Sequence, residues 1–178
     1  MHPYEHWPFV ADPKHAVVSA AWAFLIHGVI SLAVVLPIVL ASNRRLAYGV
    51  LAFAAGPALD LDHAIASGSL NPNALERLSH RPYTHSLAFA VALAVAALLV
   101  TRSRLAAWSV FAVIAVHLVF DASGGDERIL YPLKSPNGLP WLVFPVGFVV
   151  LTGISWAAVR VRRPVAAPPG FVISQRSR

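Results

Sequence analysis

Histidine and aspartate side chains recur at the ends of long apolar runs in this sequence, with spacings that suit metal binding. In HLVFD, His117 and Asp121 are four residues apart, so a helix would place both on one face. Asp60 and His63 in DLDH are three residues apart and share a face if that segment is helical. Imidazole and carboxylate ligands without thiolate suit Zn²⁺, Mn²⁺ or Fe²⁺, and cysteine is absent from the sequence. The pattern therefore predicts a divalent-metal site.

Further polar side chains accompany these two pairs. His27 lies near the middle of the first apolar run, and Asp62 lies between Asp60 and His63. The residues that lead into a later apolar run are His80, Arg81, Thr84, His85 and Ser86. Ionisable residues at membrane depth are costly and usually functional. Several runs that each contribute His or Asp at a similar depth favour one shared polar site.

Each signal alone has a structural alternative. A single histidine is more often a hydrogen-bonded residue in a helix interior than a ligand, and H-x-x-x-D by itself is common. The acidic residues of DLDH can cap helix ends. Asp121 and the following Ala-Ser-Gly-Gly can form a helix end and a turn.

The composition indicates the environment of these residues. The 178-residue chain is 57% hydrophobic and 12% charged, whereas a soluble domain is about 45–50% apolar and about 25% charged. About 20 apolar residues span a bilayer, and the long apolar segments cover residues 16–41, 46–59, 86–100, 105–120 and 139–159. We predict an all-α, polytopic membrane protein, a bundle of four to five transmembrane helices. Residues 1–160 form one domain, and the Pro- and Arg-rich residues 161–178 form a disordered tail.

The second apolar segment is short and contains Gly56-Pro57. These residues are expected to bend or end its helix, so the segment is broken or re-entrant and aims its acidic residues inward. At a rise of 1.5 Å per residue, Asp60 would stop short of the outer surface, near the level of His27. The predicted site is thus a polar pocket in the outer half of the bilayer.

The distribution of charge predicts an orientation. Basic residues favour the cytoplasmic side. With five spans and the N-terminus outside, nine of the 14 basic residues lie inside, and all eight acidic residues fall toward the outer side. We predict an inner or plasma membrane location, a cytoplasmic C-terminus and a site facing the outer leaflet. The basic residues flank spans instead of forming one face, which argues against a nucleic-acid partner and favours contact with membrane lipid.

Three motifs carry a resemblance to a known family. PALDLDH, HRPYTHS and HLVFDASGG…YPL, in that order, resemble the motifs of the YdjM-like family of membrane-bound metal-dependent hydrolases. That family is distantly similar to the all-helical zinc-dependent phospholipase C and single-strand nuclease superfamily. The resemblance implies metal ligands at His27, Asp60, His85, His117 and Asp121, with Asp62, His63 and His80 as further candidates. No histidine follows His117, so one or two ions are expected instead of three, most simply Zn²⁺.

The expected reaction is metal-assisted hydrolysis, in which a bound metal lowers the pKa of water. Asp62 is the predicted proton acceptor, and Arg81 is expected to hold a phosphate of the substrate. Thr84 and Ser86 are expected to orient ligands or substrate, or equally to cap the third apolar helix. Arg81 has an alternative as well, pairing with Glu76 or a nearby aspartate. A phosphoester of a lipid or another amphiphile is the predicted substrate, and an oligomer is left open.

Other function classes fit parts of the pattern. Arg81-Pro82 and the His117–Asp121 pair resemble pieces of the metal-free lipid phosphatases related to phosphatidic acid phosphatase, although PYTH replaces their Ser-Gly-His. A small metal- or proton-linked transporter would also place His and Asp between helices, but the inverted repeats of many transporters are not visible. A structural membrane protein with an inert metal is the third alternative.

Overall fold

A computed structural model describes residues 16–68, 83–123, 129–130 and 139–161 of the chain. Every regular element in these ranges is a helix, which confirms the all-α fold class. The helices are α1 (Ala16–Ala41), α2 (Arg45–Ala58), α3 (Leu61–Ser67), α4 (Leu87–Thr101), α5 (Arg104–Ala122) and α6 (Val143–Arg160). The predicted tail lies outside the described residues, so the division into a domain and a tail stays a prediction.

Local signals in the sequence explain where several helices begin and end. The hydroxyl of Ser86 accepts a hydrogen bond from Phe89 N at the start of α4, and that of Ser103 accepts one from Ala106 N at the start of α5. Gly68 ends α3 in the left-handed conformation, with φ 62°. These caps supply partners for backbone groups that the helix ends would otherwise leave unpaired.

Within the described part of the chain, three helices are long and apolar enough to cross a bilayer: Ala21–Ala41 of α1, α5 and α6. The apolar helix α4 has 15 residues and is shorter than these three. Large apolar side chains such as Leu36, Leu40 and Val149 are exposed on these helices. Such a surface matches lipid rather than water as the surrounding solvent.

Helix α5 lies at the centre of the bundle, and its residues from Ala112 to Leu118 are all buried. It contacts α1, α2, α4 and α6, while α1 also packs against α2 and α6. Val34, Val35 and Val116 form the middle of the larger apolar core. Among the described helices, α2 and α4 both lie against α5 but are not closely packed against each other.

The second apolar segment ends close to where the sequence predicts. Helix α2 continues through Gly56 and ends at Ala58, one residue after Pro57. A tight turn follows, in which Leu59 N donates to Gly56 O and Asp60 N donates to Pro57 O. Helix α3 then begins at Leu61, so Asp60 lies in the turn between two short helices.

Candidate metal centre

One end of the bundle collects the polar side chains that the sequence singles out. His27 comes from α1, Asp60 from the turn after α2, and His85 from the residue pair that precedes α4. The i, i+4 pair His117 and Asp121 comes from the last turns of α5. His27, His85 and His117 are all at least 94% buried. Four separate segments of the chain therefore meet at one site.

Four side chains converge on one point. One ligand atom from each of Asp60, His85, His117 and Asp121 lies within 4.8 Å of all the others. His117 Nε2 is 3.3 Å from Asp60 Oδ1, 3.2 Å from Asp121 Oδ2 and 3.4 Å from His85 Nε2. His85 Nε2 is 3.7 Å from Asp60 Oδ1 and 3.8 Å from Asp121 Oδ2.

These separations fit a metal ion. Ligands about 2.1 Å from a tetrahedral ion lie roughly 3.4 Å apart, and the five separations given above run from 3.2 to 3.8 Å. Pairwise hydrogen bonding explains the cluster less well, because each Nε2 carries at most one proton and faces two carboxylate oxygens and another nitrogen. Two imidazoles and two carboxylates suit Zn²⁺, Mn²⁺ or Fe²⁺. The donor set and its geometry therefore match a divalent ion.

His27 does not belong to this group of four, although the sequence predicts it as a ligand. Its Nδ1 is 2.8 Å from Asp60 Oδ2 and its Nε2 is 3.1 Å from Asp121 Oδ1. Its ring lies 4.1 Å, centroid to centroid, from that of His117. In this arrangement His27 holds the outer oxygens of two carboxylates whose other oxygens face the centre.

A second group overlaps the first at His85. Asp62, His63 and His85 also offer ligand atoms within 4.8 Å of one another. Asp62 Oδ2 is 2.8 Å from His85 Nδ1 and also accepts a hydrogen bond from the Thr84 hydroxyl. The His63 ring stacks on the His85 ring at 4.6 Å. Asp62 thus fixes the ring nitrogen of His85 that points away from the group of four, as carboxylates often do behind metal-binding histidines.

In a comparison with protein-family models, residues 13–175 match the model of the YdjM inner membrane protein family. The chain belongs to the YdjM inner membrane protein family. The match covers most of the sequence, including every residue of the centre, and it supports an inner-membrane location. No curated protein and no solved structure matches the chain.

The remaining predicted site residues of this YdjM family member have different positions. The hydroxyl of Ser86 donates to Tyr83 O and caps α4, and its side chain is 1% exposed. This is the capping role that the sequence left open, and the predicted contact of Ser86 with a substrate stays a prediction. Thr84 contacts Asp62 and so helps to orient it. His80 and Arg81 lie outside the described residues, and their predicted roles stay predictions.

Hydrogen bonds set the protonation of the groups that lie outside the apolar helices. Burial alone would raise the pKa of Asp60, but hydrogen bonds from His117, His27 and His85 hold that pKa well below its usual range. Burial likewise opposes charge on His85, but its bonds to Asp60 and Asp62 raise its pKa to about 9. The carboxylate is therefore ionised at neutral pH, and a metal that binds His85 must displace a proton from it.

Gly56 is a residue that sequence reasoning assigned only to a bend in the helix. A Cβ atom on Gly56 would lie 2.5 Å from His27 O and 2.9 Å from Ser31 Cβ. Its absence lets α2 approach α1 closely, as small residues do between membrane helices. This approach sets the distance between His27 on α1 and Asp60, which follows Gly56 by four residues.

Asp62→Asn should weaken metal binding without removing a member of the group of four. An amide at this position satisfies His85 and Thr84 less well than a carboxylate, so the His85 ring loses its fixed orientation and part of its basicity. We expect metal affinity to fall about 10–100-fold. Chelator competition on detergent-purified protein measures it. The control is Asn43→Asp, which exchanges the same two residue types in the exposed turn after α1, away from the centre. It should leave the affinity unchanged.

Proposed function

We propose that this membrane protein is a metal-dependent hydrolase that cleaves a phosphoester of a lipid or another amphiphilic substrate. The convergence of Asp60, His85, His117 and Asp121 on one point carries the proposal. The family match supports a membrane protein, and the residues of the centre supply an acid-rich, thiol-free ligand set suited to hydrolytic metal chemistry. One ion in the group of four is the simplest occupancy.

The bound ion would supply the Lewis acidity that makes water nucleophilic near neutral pH. Among the protein groups, Asp62 is our choice for the proton acceptor. Its Oδ2 is held by His85 and Thr84, whereas its buried Oδ1 has no hydrogen-bond partner among the described residues. One oxygen of Asp62 therefore orients His85 from the side away from the group of four, and its Oδ1 would accept a proton from the centre through an intervening water.

The number of protein ligands bears on the choice of metal. Four ligands fill a tetrahedral Zn²⁺ site, as in structural zinc centres. A reactive water requires a fifth position, which zinc adopts in some transition states and which Mn²⁺ and Fe²⁺ provide more readily. Asp60 is the most exposed member of the group, with 30% of its side-chain surface accessible. We infer that water and substrate approach on the Asp60 side.

The proposed substrate follows from the setting and from the sequence. A polar site among apolar helices is reached most directly by a molecule that is itself dissolved in the membrane. Arg81 precedes His85 by four residues in the sequence and would supply the bidentate contact that a phosphate favours. This assignment of Arg81 rests on the sequence alone.

The test of the reaction is phosphate or headgroup release from defined lipids. Purified protein in nanodiscs of phosphatidylglycerol and phosphatidylethanolamine, with phosphatidic acid or prenyl phosphate added, is assayed with Zn²⁺, Mn²⁺ or chelator. Asp62→Asn should lower kcat at saturating metal. Metal-independent turnover would instead favour the metal-free phosphatase mechanism. Bound metal with no turnover of any phosphoester would contradict the hydrolase proposal and favour a transporter or a structural protein with an inert metal.

We also propose that the metal centre faces the outer leaflet. Described arginines Arg44, Arg45, Arg102, Arg104 and Arg160 all lie at helix ends opposite the centre. Arginine-rich helix ends favour the cytoplasm. Since the chain has no cysteine, a single-cysteine variant carries one labelling site, which is read on the protein purified after labelling in intact cells. Ala66→Cys in α3 should react with an impermeant maleimide, and Asn43→Cys should react only after lysis. The reverse pattern would place the centre on the cytoplasmic side.

A further inference from the structure

An apolar groove of about 680 Å³ lies between α2 and α4, over the surface of α5, and the C-terminal part of α1 also lines it. Successive turns of α2 form one wall with Tyr48, Leu51 and Ala55, and Leu59 extends this wall just beyond the helix. The groove exists because α2 and α4 each pack against α5 but not closely against each other. Its volume lies in the range of pockets that hold small organic ligands, roughly 300–1,000 Å³.

One end of the groove lies near the metal centre. Three of its lining residues, Leu59, Phe89 and Ile114, come from three different elements. Leu59 precedes Asp60, Phe89 follows His85 by four residues, and Ile114 precedes His117 by three. None of the four converging His and Asp residues lines the groove itself. The near end of the groove therefore lies within about one helical turn of the metal centre along three segments, in the order headgroup and then chain of a lipid.

The length of the groove matches one leaflet. Tyr48 and Leu59 are eleven residues apart on and just after α2, which corresponds to about 17 Å of helix. Half of a hydrocarbon core about 30 Å thick is about 15 Å. The polar lining residues Ser42, Tyr48 and Ser103 come from the end of the groove farther from the centre, and Ser109 lies midway along the part of α5 that lines the groove.

We propose that this groove holds a single hydrocarbon chain of a membrane lipid whose headgroup lies at the His/Asp centre. The identification of that lipid as a substrate rests on the proposed function, whereas occupancy of the groove does not. A chain leaving bilayer lipid gains little from the hydrophobic effect. The groove therefore acts by shape, fixing the headgroup relative to the centre and setting the chain length that fits.

Photo-crosslinking in nanodiscs of phosphatidylglycerol and phosphatidylethanolamine tests the occupant. The probes are two phosphatidylglycerols, one with a diazirine near the headgroup end of an acyl chain and one with it near the methyl end. The first should label the region of Leu59 and Phe89, and the second the region of Tyr48 and Leu105. Full-length wild-type protein is used, and labelled peptides are mapped by mass spectrometry.

Two alanines of α2 give a matched pair of variants. Both Ala54 and Ala55 are exposed, but only Ala55 lines the groove. Ala55→Phe places a ring in the middle of the groove and should reduce labelling by the methyl-end probe about tenfold, because the ring occupies the space of the chain. Ala54→Phe should leave the labelling unchanged. Equal loss in both variants, or no loss in either, would overturn the proposal.

The labelling pattern also separates this proposal from its competitors. A reversed order of the two probes would show a lipid from the other leaflet, with its headgroup near Arg44 and Arg102, and would overturn it. Adducts between two copies of the chain in place of lipid adducts would do the same. Labelling in the expected order without phosphoester cleavage would support lipid binding in the groove and contradict the proposed hydrolase activity. Cleavage that occurs without labelling of the groove and is unchanged by Ala55→Phe would support the hydrolase and contradict lipid binding in the groove.

Discussion

Wild-type protein purified in detergent is expected to hold stoichiometric metal, and His117→Ala is expected to abolish that binding. The Nε2 atom of His117 lies within 3.4 Å of one atom from each of the other three members of the group. Removing it deletes the ligand nearest to all the others and leaves a cavity in the most buried part of α5. Since loss of an orienting partner alone costs about 10–100-fold in affinity, loss of a ligand should exceed about 100-fold. Metal content by mass spectrometry measures it.

A second variant separates loss of the ligand from loss of the fold. Asp121→Asn keeps the shape of the side chain but removes its charge, and it should also lose the metal while retaining the wild-type elution profile in size-exclusion chromatography. His63→Ala changes a buried histidine outside the group of four and should keep one ion per chain. Wild type with two ions and His63→Ala with one would replace the single-ion proposal by a two-ion centre. Full metal content in both His117→Ala and Asp121→Asn would refute the site.

Identical Gly→Ala substitutions on α2 are expected to have opposite effects on stability. At Gly56 the new Cβ would lie 2.5 Å from the backbone oxygen of His27, so α1 and α2 must separate. We expect a loss of about 1–3 kcal/mol in the free energy of unfolding. At Gly49 the new Cβ would lie 3.7 Å from Val39 Cγ1, an ordinary contact. That variant should gain up to about 1 kcal/mol from helix propensity.

The Gly56→Ala variant should also bind metal more weakly, whereas Gly49→Ala should not. Separation of α1 from α2 lengthens the 2.8 Å contact between His27 Nδ1 and Asp60 Oδ2, which holds one oxygen of a ligand. Thermal unfolding in detergent, with and without added Zn²⁺, measures both effects. Equal stability of the two variants would show that the contact between α1 and α2 is not tight at Gly56.

Much of the helical organisation was predictable because it depends on short stretches of sequence. The first apolar run predicts residues 16–41, the same bounds as α1, and the fourth lies within α5. Ser86 and Ser103 begin helices by capping backbone groups only three residues away. Hydropathy and capping act locally, so neither requires knowledge of how the helices pack.

The candidate centre was predictable only as a set of residues. The i, i+4 spacing of His117 and Asp121 depends on one helix and could be derived from the sequence. The different position of His27, which contacts the outer oxygens of Asp60 and Asp121, could not. It depends on the rotation of α1 about its axis and on side-chain torsions, and packing between distant segments sets both.

The sequence by itself determined an all-helical membrane protein with polar residues at the ends of its apolar helices, because composition, hydropathy and caps are properties of local segments. Only the tertiary structure decided which four side chains converge, which carboxylate orients His85, and where α2 and α4 stay apart to leave a groove. These features join residues up to 61 positions apart, such as Asp60 and Asp121. The distances between these residues depend on close approaches of helices. At Gly56, the lack of a side chain lets α2 lie against the backbone of α1 near His27.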